Sequence, residues 1–200
     1  AQSMLSSPFI VPTSSVAQVM RSVIYALLPG ILLFIYYYGW GVLLNIVLAC
    51  SSALLFEWLM LVLRDRPIKQ FLTDGSALVT AILLALALPP LVSWWIPVSG
   101  SFFAIVVAKH LYGGLGYNVF NPAMAAYAVL LISFPKQLSI WSPPLALLPG
   151  QLSMSETLQY ALSHVLPPPL TLDAITSATP LDLLRTELSL GKNIPEITRA

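Results

Sequence analysis

The sequence predicts an all-α integral membrane protein with about five transmembrane helices, some broken or kinked, followed by an extramembrane loop region. Three observations predict it. Of 200 residues, 58% are hydrophobic and 8% are charged, against roughly 25% charged in a soluble domain. The apolar run over residues 42–63 is long enough for the ~30 Å hydrocarbon core. Aromatic clusters and basic residues flank the apolar runs, as anchors at the two interfaces do. The bundle is expected over residues 1–134 and the loop region over residues 135–200.

The first span is read over residues 22–38, interrupted by Pro29-Gly30, where a kink is expected. Tyr36, Tyr37, Tyr38 and Trp40 follow as an interfacial belt. The second covers residues 42–63 and ends in "RDRPIK". The third, "ALVTAILLALAL" over residues 77–88, is short: at ~1.5 Å per residue it covers less than ~20 Å. "TDGS" precedes it, Pro89-Pro90 stop it, and Trp94 and Trp95 then anchor the chain. The fourth covers residues 97–111, ending near Lys109-His110. The fifth is reached through "GGLGYNVFNPAM" and continues to Phe134.

With alternating spans, Arg21, Arg64, Arg66, Lys69 and Lys109 share one side. The links at residues 39–41 and 89–96, on the other side, hold no Lys or Arg. The positive-inside rule makes the first side cytoplasmic. Residues 135–200 then start outside, and their four basic residues do not oppose this, because long loops translocate largely regardless of charge. The sequence shows no secretory signal at its beginning.

The two irregular segments invite two readings. Backbone that is not helical at membrane depth needs burial in protein or a polar cavity, and interrupted hydrophobic segments point to midplane sites in transporter-like folds. Asn118 and Asn121 supply amide groups there, with Asn121 as N-cap and Pro122 in the first turn of the fifth helix. A plain helix start and an ion or ligand cavity both fit this pattern. Glu57 lies inside the second span, where a carboxylate is a functional-site hypothesis by default. Pairing with Arg64 or Lys109 and a role in ion movement both stay open for it. Asp74 reads as a helix N-terminal residue favoured by the dipole, and Glu57, Asp74, Asn118 and Asn121 are the ion-pathway candidates. His110 reads as interfacial and His164 as a loop residue, neither in the company a metal site requires.

Other chemistries are excluded. A net charge of +1 leaves no clustered basic face for nucleic acid. The single Cys50 cannot hold an iron–sulfur cluster or close an internal disulfide. Nucleotide-binding, zinc-protease and nucleophile-elbow motifs are missing, so no catalytic residue is assigned.

The stretch "AITSATPLDLL" over residues 174–184 is a good helix start, with Thr179 as N-cap, Pro180 at N1 and Asp182 at N3. Free N–H groups and the dipole also make such a start an anion site. A phosphate ester on Thr179 would be held by that backbone, so the cap and a modified hydroxyl are compatible.

The blocks "SSPF", "DGSALVTAILLALALPP", "AKHLYGGLGYNVFNPAMAAYAVLLISFP" and "DAITSATPLD" resemble the NqrB/RnfD family. These are membrane flavoprotein subunits of Rnf electron-transport complexes and of the sodium-pumping NADH–quinone reductase. The resemblance runs from Ser6 to Arg199. It implies FMN held covalently through its phosphate on the last threonine of an S/T-x-A-T motif, here Thr176, Ser177, Ala178 and Thr179, followed by Pro180. The commonest family form has Gly where this chain has Ser177, and the acceptor hydroxyl is in place. The implied partners are a separate flavin transferase, the other subunits of an Rnf-type complex and membrane lipid. Riboflavin or a second flavin held noncovalently is a further cofactor expectation. The implied location is the bacterial inner membrane, with the Thr179 loop on the periplasmic side. Family members carry a second five-helix bundle related to the first by internal repeat, in a fold similar to urea and ammonium transporters. This chain is expected to be the first repeat and its loop. The implied function is electron carriage coupled to Na⁺ or H⁺ translocation; the alternatives are a small-solute transporter or channel and a non-redox scaffold.

Overall fold

The computed structural model describes residues 15–147, 152–163, 165, 185 and 188–190. Among them every regular element is helical. Thr176, Ser177, Ala178, Thr179 and Pro180 lie outside the described residues, as does His164.

Helix α1 spans Val16–Tyr38, six residues longer at its start than the hydrophobic run suggests. The reason is a capping box: Ser15 Oγ accepts from the Gln18 N–H at 3.3 Å, and Gln18 Oε1 accepts from the Ser15 N–H at 2.9 Å. Two orphan donors are satisfied reciprocally, so the polar first turns stay helical. Arg21 is therefore inside the helix. Pro29 sits within α1 and the helix runs through it uninterrupted. The lone residue Gly39, at φ 78°, joins α1 to α2, which spans Trp40–Leu63. Such a reversal needs the left-handed freedom of glycine.

After the link at residues 64–67 comes a short α3, Ile68–Leu72, and then α4, Ser76–Ala87. The sequence reading has no counterpart of α3. With α4 it makes a 20-residue apolar helical stretch, Ile68–Ala87, interrupted at Gly75. That stretch, α1 and α2 are each long and apolar enough to cross a membrane. Helix α5 covers Trp95–Phe102 and continues as a π-helix over Phe103–His110. Helix α6 covers Pro122–Ser133, with Asn121 Oδ1 accepting from the Ala123 N–H at 3.0 Å. The N-cap reading of Asn121 is borne out.

Helices α2, α4, α5 and α6 enclose the core. One cluster joins Leu84, Leu88, Ile96, Ala104, Ala126 and Leu130. A second is a seam of small residues, Ala49, Ala53, Ala77, Ala81 and Ala85 against Ile105. Small side chains let backbones approach closely where hydrophobic burial offers little, as inside a membrane. The Ser101 hydroxyl, wholly buried in α5, lies 3.1 Å from Ala49 O and 2.8 Å from Pro97 O.

The two ends of the bundle are built differently. At one end, a Cβ on Gly41 would lie 2.1 Å from Pro90 O, so only glycine lets α2 start against the Pro89-Pro90 link. Asn45 Nδ2 donates to Pro89 O at 2.9 Å, satisfying a buried carbonyl. Part of the region after Phe134 packs back on this end. Helix α7, Pro135–Ser139, buries Leu138 in the first core cluster. Helix α8, Met154–Ser163, accepts the Trp94 N–H at Ala161 O, 3.2 Å away. Arg64, Arg66, Lys69 and Lys109 gather at the other end, and Met20 of α1 approaches Gly75 there, placing Arg21 nearby.

Candidate functional site

Glu57 lies on the inner face of α2, 1% exposed. It sits well past the middle of a 24-residue helix that starts at Trp40 and that, at ~1.5 Å per residue, spans ~36 Å. Its partner comes from the π-helix. The wider turn, with the Leu111 N–H bonded to Val106 O at 3.0 Å, turns both Lys109 and His110 inward. Short π segments recur at functional sites. Lys109 Nζ donates to Glu57 Oε1, Glu57 Oε2 and Ser76 Oγ, each at 2.8 Å. All three ammonium protons are thereby used. The Ser76 hydroxyl donates onward to Asp74 Oδ1 at 2.6 Å, and the same oxygen accepts the Ser76 N–H at 2.7 Å. A single polar chain thus joins Asp74, Ser76, Lys109 and Glu57 across α4, the π-helix and α2.

His110 closes the other side. Its Nε2 is 3.2 Å from Glu57 Oε2 but off the line of a hydrogen bond, and no other polar atom satisfies it. Arg64 Nη1 donates to His110 O at 2.8 Å and lies 3.4 Å from His110 Nδ1. These groups border a cavity of about 330 Å³, which Arg66, Phe71 and Tyr117 also line. The arrangement surrounds a carboxylate inside a span with donors. Removing its lysine would leave a buried charge, which a cation or a proton must then neutralise.

Of the sequence candidates, Glu57 and Asp74 come together here. Asp74 precedes α4 as expected, with the added task of orienting Ser76. Asn118 does not join them: it is half-buried, accepting from the Gly116 N–H at 3.2 Å and donating to Phe120 O at 2.8 Å within its own loop. Asn121 is confined to its cap. His110, read as interfacial, is 5% exposed and belongs to the cluster. Ser76 and the inward turn of His110 are absent from the sequence reading. The usable signal is the adjacency of Lys109 and His110 at the end of a span, opposite the one intramembrane carboxylate. No group of three potential metal ligands occurs among the described residues.

Comparison with known proteins supplies the remaining context. The model of the NQR2, RnfD, RnfE family matches residues 3–199. The chain is similar to a subunit of the ion-translocating oxidoreductase complex of Shewanella piezotolerans, 47% identical over 196 residues, covering 96% of this chain and 56% of that protein. The corresponding protein of Colwellia psychrerythraea is 48% identical over 201 residues, again covering 96% and 56%. That of Aliivibrio salmonicida is 46% identical over 203 residues, covering 98% and 58%. The chain spans a little over half the length of these relatives. It is a multi-span membrane protein belonging to the NQR2, RnfD, RnfE family.

Proposed function

We propose that the chain is an electron-carrying membrane part of a redox-driven Na⁺- or H⁺-translocating complex, with FMN bound covalently through a phosphoester on Thr179. The observation that carries this reading is the family match, which runs through the Thr176–Thr179 motif. The acceptor is a hydroxyl followed by Pro180 in a sequence that reads as a helix start, where an anion is favoured. FMN would supply one-electron redox chemistry there. Electrons would come from partner subunits, because this chain carries no nicotinamide-binding motif. The Glu57–Lys109–Ser76 network supports the ion half: a buried carboxylate with an exchangeable counter-charge beside a cavity. Moving one charge against ~100 mV requires ~2.3 kcal/mol, which the electron-transfer step must exceed. In the bacterial inner membrane the Arg64 end would face the cytoplasm and the Thr179 loop the periplasm.

The test is in-gel flavin fluorescence after full denaturation, with and without a flavin transferase, beside Thr179→Val. Fluorescence that requires both the transferase and Thr179 is the expected result. A dark, folded wild-type chain with an active transferase would remove the covalent flavin from the account. A second reading, a small-solute channel, is favoured by the two half-length helices α4 and α6, and predicts solute flux in vesicles independent of flavin.

A further inference from the structure

Helix α8 presents three faces, and each suits a different surrounding. Thr157, Tyr160 and Ala161 are buried against the bundle. Ser155, Gln159 and Ser163 form an exposed polar row with a spacing of four. Between these faces runs a third row, Met154, Leu158 and Leu162, whose spacing of four also keeps it on one side of the helix. All three are exposed, Met154 by 61% and Leu162 by 59%. The row does not end at α8. Met154 and Leu158 border a groove of about 120 Å³ whose other wall is Trp40, Leu43 and Val47 of α2. Thr157 also lines it, but its hydroxyl already donates to Ser153 O at 2.9 Å. The groove therefore offers little that a polar partner could bind. Trp40 and Val47 are exposed on a helix long and apolar enough to span the membrane, so the row is continuous with a lipid-facing surface. The level of α8 agrees. Trp40 lies beside its start, and the Trp94 N–H donates to Ala161 O near its end. Both tryptophans are exposed, as are Tyr36 and Tyr37 at the same turn, and such aromatic residues gather at the membrane interface.

We propose that α8 is an interfacial helix, with phospholipid acyl chains covering its Met154–Leu158–Leu162 row and the groove it forms with α2. An amphipathic helix in the interface plane sinks its apolar side ~5–10 Å toward the acyl region and keeps its polar side in water. Protein, lipid and water then each meet the face that suits them. Contiguous exposed apolar patches mark interaction surfaces, and an acyl chain is the occupant that needs no polar group from its site. The inference goes beyond the electron-carrier reading and does not depend on it. It fixes Ser163, where α8 ends, at the membrane surface, so the segment toward Thr179 departs from there.

Residue-resolved labelling tests this on the unaltered protein in its native membrane, with partner subunits in place. A diazirine dissolved among the acyl chains and hydroxyl radicals generated in the water phase are applied separately, and the products are located by mass spectrometry. Carbene adducts on Met154 and Leu158 should exceed those on Gln159 several-fold. Sulfoxide should form at Met154 several-fold more slowly than in the unfolded chain. Fast sulfoxide formation at Met154 without adducts would overturn the proposal and leave the row in water. Absence of both marks would overturn it too, and would assign the row to a protein partner. A second measurement uses nitroxide labels on Leu158→Cys and Gln159→Cys, each in the full chain with Cys50→Ser, in vesicles of phosphatidylethanolamine and phosphatidylglycerol. Oxygen should relax the first label more than a water-soluble nickel chelate does, and the chelate should relax the second more. The same preference at both positions would show that α8 has no lipid-facing side.

Discussion

The two ends of this bundle solve the same problem, irregular backbone at a helix break, by opposite means. At the Pro89 end the break is neutral: Asn45 reaches Pro89 O, Gly41 lets α2 touch Pro90, and Trp94 and Trp95 follow. At the Arg64 end the break before α4 is charged, with Asp74 and Ser76 tied to Lys109 and Glu57. A neutral break locks a link in place. A charged one holds groups whose pairing can change. The contrast assigns rigidity and aromatic surface to one end and exchangeable charge to the other.

The largest expected effect comes from breaking the charged end. Lys109→Ala strands Glu57 in the core and should cost ~3–5 kcal/mol, read as a fall in the unfolding temperature of the purified protein. The double variant Glu57→Gln with Lys109→Gln should recover part of that loss in a double-mutant cycle. Additive losses would mean that the two groups are not coupled. At the neutral end, Gly41→Ala must push α2 away from Pro90, an overpacking cost of ~1–3 kcal/mol. An unchanged unfolding temperature would show that this contact is not as tight as the structure has it. The loss of one hydrogen bond in Asn45→Leu leaves Pro89 O unsatisfied, at ~1–3 kcal/mol.

The smallest effect belongs to α8, which packs on the neutral end. Ser153 and Glu156 form a capping box: Glu156 Oε2 accepts from the Ser153 N–H and hydroxyl, each at 2.7 Å. The Ser153 side chain and then its backbone hold the Glu156 carboxyl below its ordinary 4.5. The cap is therefore strongest above pH 4.5 and weakens as pH falls through the lower folded value. Ser153→Ala should cost ~1 kcal/mol, felt as faster amide exchange in α8 alone.

The spans are legible because apolar length and interfacial residues report on lipid directly. Glu57 is legible because a carboxylate in a 24-residue apolar helix is costly unless it is paired or used. Its candidate partners include Lys109, but the choice between it and Arg64 depends on geometry. That geometry comes from the π-helix, which no residue pattern announces; the run "FAIVVAKH" reads as ordinary helix. The early start of α1 is written in Ser15 and Gln18, but hydropathy, which takes no account of caps, sets the boundary too late. The return of α7 and α8 onto the Pro89 end rests on long-range packing of Leu138 and Ala161, which local sequence does not encode. Thr179 remains a reading of motif and family.

The central claim is the division of labour between the ends, flavin at one and ion coupling at the other. It is tested most directly with Glu57→Gln in the whole complex reconstituted into vesicles, measuring electron flow and ion uptake together. The account predicts that covalent flavin content and electron flow persist while ions moved per electron fall sharply. Ion uptake per electron equal to the wild type, with Glu57→Gln fully incorporated, would contradict it.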